Sequence, residues 1–457
     1  MKEFSNLKHR KIWLFLYSLF LIALAVFFHF NHLLNGDEGV TLNGAWNLYN
    51  GRRLYFDFFS FLPPLSFYLL YWLWQIVGAS FWSAKIFSIF LLMLGALGLY
   101  KAAEQLKPSP FNLFVPFFFI LSSSWLWIIN HNFYNLVFII WSLYFYLGYL
   151  RSRRYLWLFF AGLTVGLSIL LLQQKGLVVA GVSALFLLWP FADRSLRERL
   201  HSFLLYSLAA ALPLITLFLF WPPALLWENL ISFPLFHYIE SNRISYRFLY
   251  LAFFSLGLIT ISWRGRSRSI NFILFLTAGF LFSCYPLPDY YHLNFALSLM
   301  LPLFPLIFSA EHRPKFLSYL AIPGFAWIWL FPVSVFFYLL IFNNYNYKEY
   351  PFLEVIRREC PGKTLHAGPF IPNVYLETDK LSATSFDILI TGHQTEAQFN
   401  QARAQLEANA PGCAVTAYPG SLERFRHNQD NPVDRFIREN YEAIFFEGPI
   451  TVWRLRS

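Results

Sequence analysis

The sequence predicts a polytopic α-helical membrane protein that ends in a small C-terminal α/β domain. Three observations carry this reading. Of 457 residues, 57% are hydrophobic and 13% charged, about half the charge of an average soluble chain. The apolar residues fall in runs of roughly bilayer length. The charge is also divided along the chain: residues 1–342 hold 23 Lys and Arg against 11 Asp and Glu, net +12, and residues 343–457 hold 12 against 14, net −2. A soluble enzyme and a disordered chain are thereby excluded. The basic surplus reads as loop charge that orients helices, so membrane lipids are expected as partners and nucleic acid is not.

In chain order, apolar runs occupy residues 12–30, 82–103, 111–129, 133–150, 155–172, 177–192, 203–221, 248–263, 270–285, 293–308 and 316–342. Residues 64–78 are also apolar but begin at Pro63-Pro64, so they either span or lie at the interface. The loop charges decide. If 64–78 does not span and the N-terminus is cytoplasmic, 17 of the 23 basic residues fall on the cytoplasmic side, as the positive-inside rule requires. The expectation is about 11 transmembrane helices, with residues 1–342 as the membrane domain and 343–457 outside. The first helix lacks a small-residue cleavage site at Asn31-His32-Leu33 and reads as a retained anchor.

In the tail, 363–367, 414–418 and 444–454 read as strands, and 396–408 and 433–441 as helices. Asn431-Pro432 is a cap residue followed by a first-turn proline. Cys360 and Cys413 both fall in this domain, where paired and unpaired forms are equally open. The chain has no Asn-x-Ser/Thr sequon, so nothing marks the outer side as a eukaryotic lumen.

The same topology gathers Asp37, Glu38, Arg52, Arg53, Asp57, Lys85, Lys175 and Asp289 at the outer rim. The first outer loop, residues 31–81, opens with Asn35-Gly36-Asp37-Glu38, and 39–50 reads as a short interfacial helix closed by Asn50-Gly51. Carboxylates at a helix start serve capping as readily as catalysis.

Asp37-Glu38, then Gly51, Leu54-Tyr55-Phe56-Asp57, Pro63-Pro64-Leu65, Gly78-Ala79-Ser80 and Lys85 resemble the first outer loop of polyprenyl-phosphate-sugar glycosyltransferases of the GT-C fold. That group includes the bacterial lipid A aminoarabinose transferases and the protein O-mannosyltransferases. The resemblance implies a glycosyltransferase with Asp37 as catalytic carboxylate and Glu38 beside it. Gln173-Gln174-Lys175-Gly176 is similar to the family's Lys-Gly turn, so Lys175, with Lys85, is expected to bind the donor phosphate. Tyr291 and His292, in Pro-Leu-Pro-Asp-Tyr-Tyr-His, are carried over to the same role. His131, Asn135, Arg52 and Asp57 are expected to contact the substrate or acceptor.

Such chemistry needs a base for the acceptor proton, cations for the leaving phosphate and an apolar groove for the polyprenyl chain. The expected reaction is a single inverting displacement from a polyprenyl-phosphate-linked sugar onto a hydroxyl of a glycolipid, polysaccharide or protein. The family's His or Glu before Pro-Leu is replaced by Phe59-Ser60-Phe61-Leu62, which argues against a metal site built from that position; no structural zinc is expected, and a divalent cation as cofactor stays open. A transporter or flippase, or a polymerase or ligase of lipid-linked glycans, is the alternative. A bacterial inner membrane is the expected location.

Overall fold

The computed structural model describes residues 7–32, 34–190, 194–238, 252–260, 267–285, 289–307, 350–418 and 427–456. The expected span 316–342, the end of 293–308 and both ends of 248–263 lie outside them.

Four of the described helices are long and apolar enough to cross a membrane: α1 (Leu7–His29), α4 (Phe81–Leu106), α6 (His131–Ser152) and α9 (Leu196–Phe220). Shorter apolar helices join them: α3 (Leu65–Val77), α5 (Phe114–Ser123), α7 (Tyr155–Ile169), α8 (Gln173–Leu188) and, after the single turn α10 (Pro223–Trp227), α11 (Arg268–Phe282). Large side chains such as Trp13, Phe15, Phe90, Leu208 and Phe218 face outward from this bundle. Lipid is the solvent that such a surface suits.

The bundle is held by close helix approach. α7 lies against α9, where a Cβ on Gly162 or Gly166 would come within 2.4 or 2.3 Å of the Tyr206 or Ala210 carbonyl oxygen. Only glycine permits this spacing. α9 starts seven residues before the expected 203, because Ser195 and Glu198 form a reciprocal capping box. α5 stops at Ser123, well short of the expected 129. The chain then runs irregularly through Trp125–Asn130 and becomes a wall of the site.

α2 (Gly36–Tyr49) corrects the expectation of an interfacial helix over 39–50. It is buried from Glu38 to Leu48 apart from Val40, because a second layer covers it. α3, at 13 residues, is about 20 Å long and too short to cross a 30 Å hydrocarbon core; it packs beside α2.

The covering layer is the C-terminal unit. Its sheet runs β2 (Leu381–Ser382), β1 (Thr364–Gly368), β3 (Cys413–Ala417), β5 (Ile450–Leu455), β4 (Tyr441–Glu447). β1 is parallel to β2 and β3, and β5 is antiparallel to β3 and β4. The expected single strand at 444–454 is a hairpin that turns at Gly448, whose φ of +57° suits glycine. The helices over 396–408 and 433–441 are present as Glu396–Ala408 and Pro432–Asn440. Pro351–Glu359 and Asn373–Glu377 are two further helices. Cys360 and Cys413 form a disulfide beside β3.

One hydrophobic core joins the two layers: Leu42, Ala45 and Trp46 of α2 with Leu70, Trp74 and Phe81 pack against Phe352, Ile356, Val374, Tyr375 and Val415. Polar bonds follow the same seam. Trp46 Nε1 donates to the Lys380 carbonyl at 2.8 Å and Arg52 to the Thr384 carbonyl at 3.2 Å.

Candidate functional site

The start of α2 is set by Asn35, whose side-chain oxygen accepts from the Asp37 and Glu38 backbone N–H groups. This cap fixes both carboxylates at the positive end of the helix. Phe370 and Asn373 of the C-terminal unit press directly on Gly36 and Gly39; a Cβ there would sit 2.5 and 2.7 Å from them. The unit that covers α2 therefore reaches the turn that carries Asp37.

The two adjacent carboxylates are placed differently. Asp37 is partly exposed, whereas Glu38 is 1% exposed. Lys85, in the second turn of α4 and 2% exposed, donates to both Glu38 oxygens at 3.0 and 3.2 Å. The Ile129 N–H donates to Glu38 Oε1 at 3.2 Å. Glu38 and Lys85 thus satisfy each other and tie α2, α4 and the 125–130 segment together. Neither offers a free charge to a substrate.

Lys175 lies in the first turn of α8. Its Nζ donates to Asn132 Oδ1 at 2.7 Å and lies over the rings of Phe280 and Phe295 at 5.6 and 5.5 Å. Among the described residues it is bonded to no carboxylate, which leaves a cation in an aromatic cage beside a helix N-terminus.

Three more expected residues converge on this end. The Tyr291 hydroxyl donates to the Trp127 carbonyl at 2.7 Å, and Asp37, Glu38, Asp289 and Tyr134 all act on it electrostatically. His292 pairs through Nδ1 with Asp289 at 2.8 Å; Asp289 also caps α12 (Tyr290–Ser298) through the His292 N–H. His131, the first residue of α6, lies 3.0 Å from Asn132 and within electrostatic reach of Lys175 and His292. Asp37, Lys175, His131, Tyr291 and His292 therefore border one end of the bundle, around the 125–131 turn.

The remaining expected residues are bonded elsewhere. Asn135 donates to the Ser168 carbonyl and hydroxyl, both at 2.8 Å, and locks α6 to α7. Arg52 lies past the far end of α2, where it donates to Asn47 Oδ1, the Asp57 carbonyl and the Thr384 carbonyl. Asp57 is gripped by Arg53 through the backbone N–H, Nε and a terminal nitrogen. That guanidinium holds the Asp57 carboxyl below the usual carboxylate range.

Asp387 was not foreseen. It projects from the C-terminal unit toward α2, and its Oδ2 accepts from Asn47 Nδ2 at 2.9 Å. Burial pushes its carboxyl up to about 6 against the opposing effects of Arg52, Asn47, Asn43 and Ser382. Nothing in the local run Ser-Phe-Asp-Ile-Leu-Ile points to a partner 340 residues away. Among the described residues no three His, Cys, Asp or Glu side chains converge as metal ligands.

Residues 62–221 match the dolichyl-phosphate-mannose-protein mannosyltransferase family. In structure the chain is similar to ArnT from Cupriavidus metallidurans in the apo state, with a TM-score of 0.63 at 13% identity over 97% of this chain and 98% of that one. The same protein bound to undecaprenyl phosphate gives 0.58 at 14% identity, over 96% and 97%. The apo oligosaccharyltransferase of Archaeoglobus fulgidus gives 0.60 at 12% identity, over 97% of this chain and 74% of that one. No curated protein matches the chain in sequence. The fold is that of the GT-C membrane transferases.

Proposed function

We propose that the chain transfers a sugar from a polyprenyl phosphate to an acceptor hydroxyl at the outer membrane–water interface. The observation that carries this reading is the approach of a partly exposed carboxylate, Asp37, to the end of the bundle where Lys175 is held by Asn132 and two rings. It does so in a fold shared with a transferase bound to undecaprenyl phosphate.

Asp37 takes the acceptor proton. The acceptor oxygen then attacks the anomeric carbon from the face opposite the phosphate, and the carbon–oxygen bond to phosphate breaks with inversion. The leaving polyprenyl monophosphate gathers charge at Lys175, with His131, Tyr291 and His292 at its margin. Glu38 and Lys85 act by position: their pair holds the α2 turn so that Asp37 faces the site. The apolar bundle surface takes the polyprenyl chain.

In this reading the N-terminus is cytoplasmic and the C-terminal unit lies outside a bacterial inner membrane, where a Cys360–Cys413 disulfide is at home. Phosphorus NMR on the full chain in nanodiscs with a polyprenyl phosphate sugar tests the class. Acceptor-dependent release of free polyprenyl monophosphate supports transfer; movement of the lipid across a bilayer with its sugar bond intact would make it a transporter.

A further inference from the structure

The C-terminal unit meets the turn that opens α2 at four places, and Asp37 lies among them. His32 Nε2 lies 2.8 Å from Glu377 Oε1, and the Leu34 N–H donates to the Tyr350 hydroxyl at 2.9 Å. Past the cap, the Phe370 ring and the Asn373 backbone nitrogen close on Gly36 and Gly39. Asn373 Nδ2 also reaches the Asn35 carbonyl at 3.4 Å, which already accepts the Gly39 N–H at 2.9 Å.

These contacts fall on one side of the turn. Residues three apart share a helix face, so Gly36 and Gly39 turn the same side of α2 to the C-terminal unit, and Asp37 and Glu38 leave from the other sides. Glu38 is held there by Lys85 and the Ile129 N–H. The turn is gripped from behind by the outer unit and from the bundle by Lys85, and Asp37 is partly exposed between the two grips.

The outer grip has a firm base. Phe370 belongs to the loop that follows β1, and β1 is paired on both sides, with β2 and β3. The Leu389 N–H donates to the Pro369 carbonyl at 3.0 Å, and the Ala367 N–H to the Tyr375 hydroxyl at 2.9 Å. A Cβ on Gly39 would meet a backbone atom that cannot turn aside, so the turn or the unit would have to move.

We propose that the C-terminal unit sets the rate of transfer: Tyr350, Phe370 and Asn373 are positioning residues that hold the turn from Leu34 to Gly39 so that Asp37 meets the acceptor hydroxyl. A general base must lie within about 3 Å of the oxygen it deprotonates, and a misplacement of about 1 Å costs on the order of 100-fold in rate. Binding of the lipid phosphate at Lys175 does not depend on this grip. The inference rests on the transferase reading and deepens it.

Membranes of a strain that lacks the chain supply donor and acceptor for the test. Purified full chain, wild type or variant, is added in equal amounts and the loss of polyprenyl-phosphate-linked sugar is followed, with undecaprenyl phosphate titration and thermal unfolding on the same preparations. Gly36→Ala and Gly39→Ala are expected to slow the loss by roughly 10- to 100-fold, and Tyr350→Phe by a smaller factor, with undecaprenyl phosphate affinity within about twofold of wild type. Once Phe370→Ala has removed the ring, adding Gly36→Ala should slow the reaction by less than about twofold more, because the two residues act through one contact. An unchanged rate in Gly39→Ala, an equal cost of Gly36→Ala with and without the ring, or a fall in rate matched by lost lipid affinity and lost stability would overturn the positioning role and leave the transferase standing. Wild type that binds undecaprenyl phosphate and leaves the lipid-linked sugar untouched would sink the transferase reading, and the positioning role with it.

Discussion

Glu38 and Lys85 are bonded through both carboxylate oxygens, at 3.0 and 3.2 Å, inside a seam where neither side chain is more than 2% exposed. The pair therefore puts its charge into position, whereas the neighbouring Asp37 is partly exposed.

Breaking that pair from one side strands a buried charge. Lys85→Met is expected to destabilise the protein by about 3–5 kcal/mol, and adding Glu38→Gln to recover much of it. Fluorescence-detected thermal unfolding in detergent reads both. An unchanged transition in Lys85→Met would mean that the pair is not formed.

Lys175 is placed to act on a ligand. A charge-assisted hydrogen bond contributes about 1.5–3 kcal/mol, so Lys175→Met, which keeps most of the buried volume, is expected to weaken undecaprenyl phosphate binding by roughly 10- to 100-fold. Lys175→Arg should recover part of the affinity. Tryptophan-fluorescence titration measures it.

Asp387 makes stability depend on pH in an unusual direction. Burial raises its carboxyl to about 6 from 3.8. Between those values the folded chain keeps a proton that the unfolded chain has released, so this group's contribution falls as pH rises through the window and is fully lost above about 6. Asp387→Asn keeps the acceptor for Asn47 and removes the penalty. It should be more stable than wild type at pH 7 by on the order of 1–3 kcal/mol, with the difference vanishing near pH 4. Paired unfolding curves at the two pH values check this.

The Cys360–Cys413 disulfide closes a 53-residue separation, for which the chain-entropy account gives about 4 kcal/mol. Replacing both with serine should lower the unfolding temperature of the C-terminal unit. Mass spectrometry without reductant should find the two residues linked in protein taken from the native membrane.

Much of this architecture is written locally and was legible in one dimension. Asn35-Gly36-Asp37-Glu38 marks the start of α2, because capping signals depend on neighbours in sequence, whereas Gln173 to Gly176, read as a turn, is the first turn of α8 and has no side-chain cap to announce it. The tail helices at Glu396–Ala408 and Pro432–Asn440 carry their own caps, Thr395 and Asn431. The hairpin at Gly448 was hidden because apolar residues continue on both sides of a short turn. The burial of α2, the Glu38–Lys85 pair and the Asp387–Asn47 bond were not legible. Each depends on a contact between residues 47 or 340 positions apart, or on a covering layer that leaves no local mark.

The most direct test of the account is the level of polyprenyl-phosphate-linked sugar in membranes of a strain that lacks this chain and is complemented with wild type or with Asp37→Asn, at matched expression. The account predicts that the lipid-linked sugar accumulates equally in the deletion and in the Asp37→Asn strain and is consumed with wild type. Consumption by Asp37→Asn at the wild-type rate would contradict it.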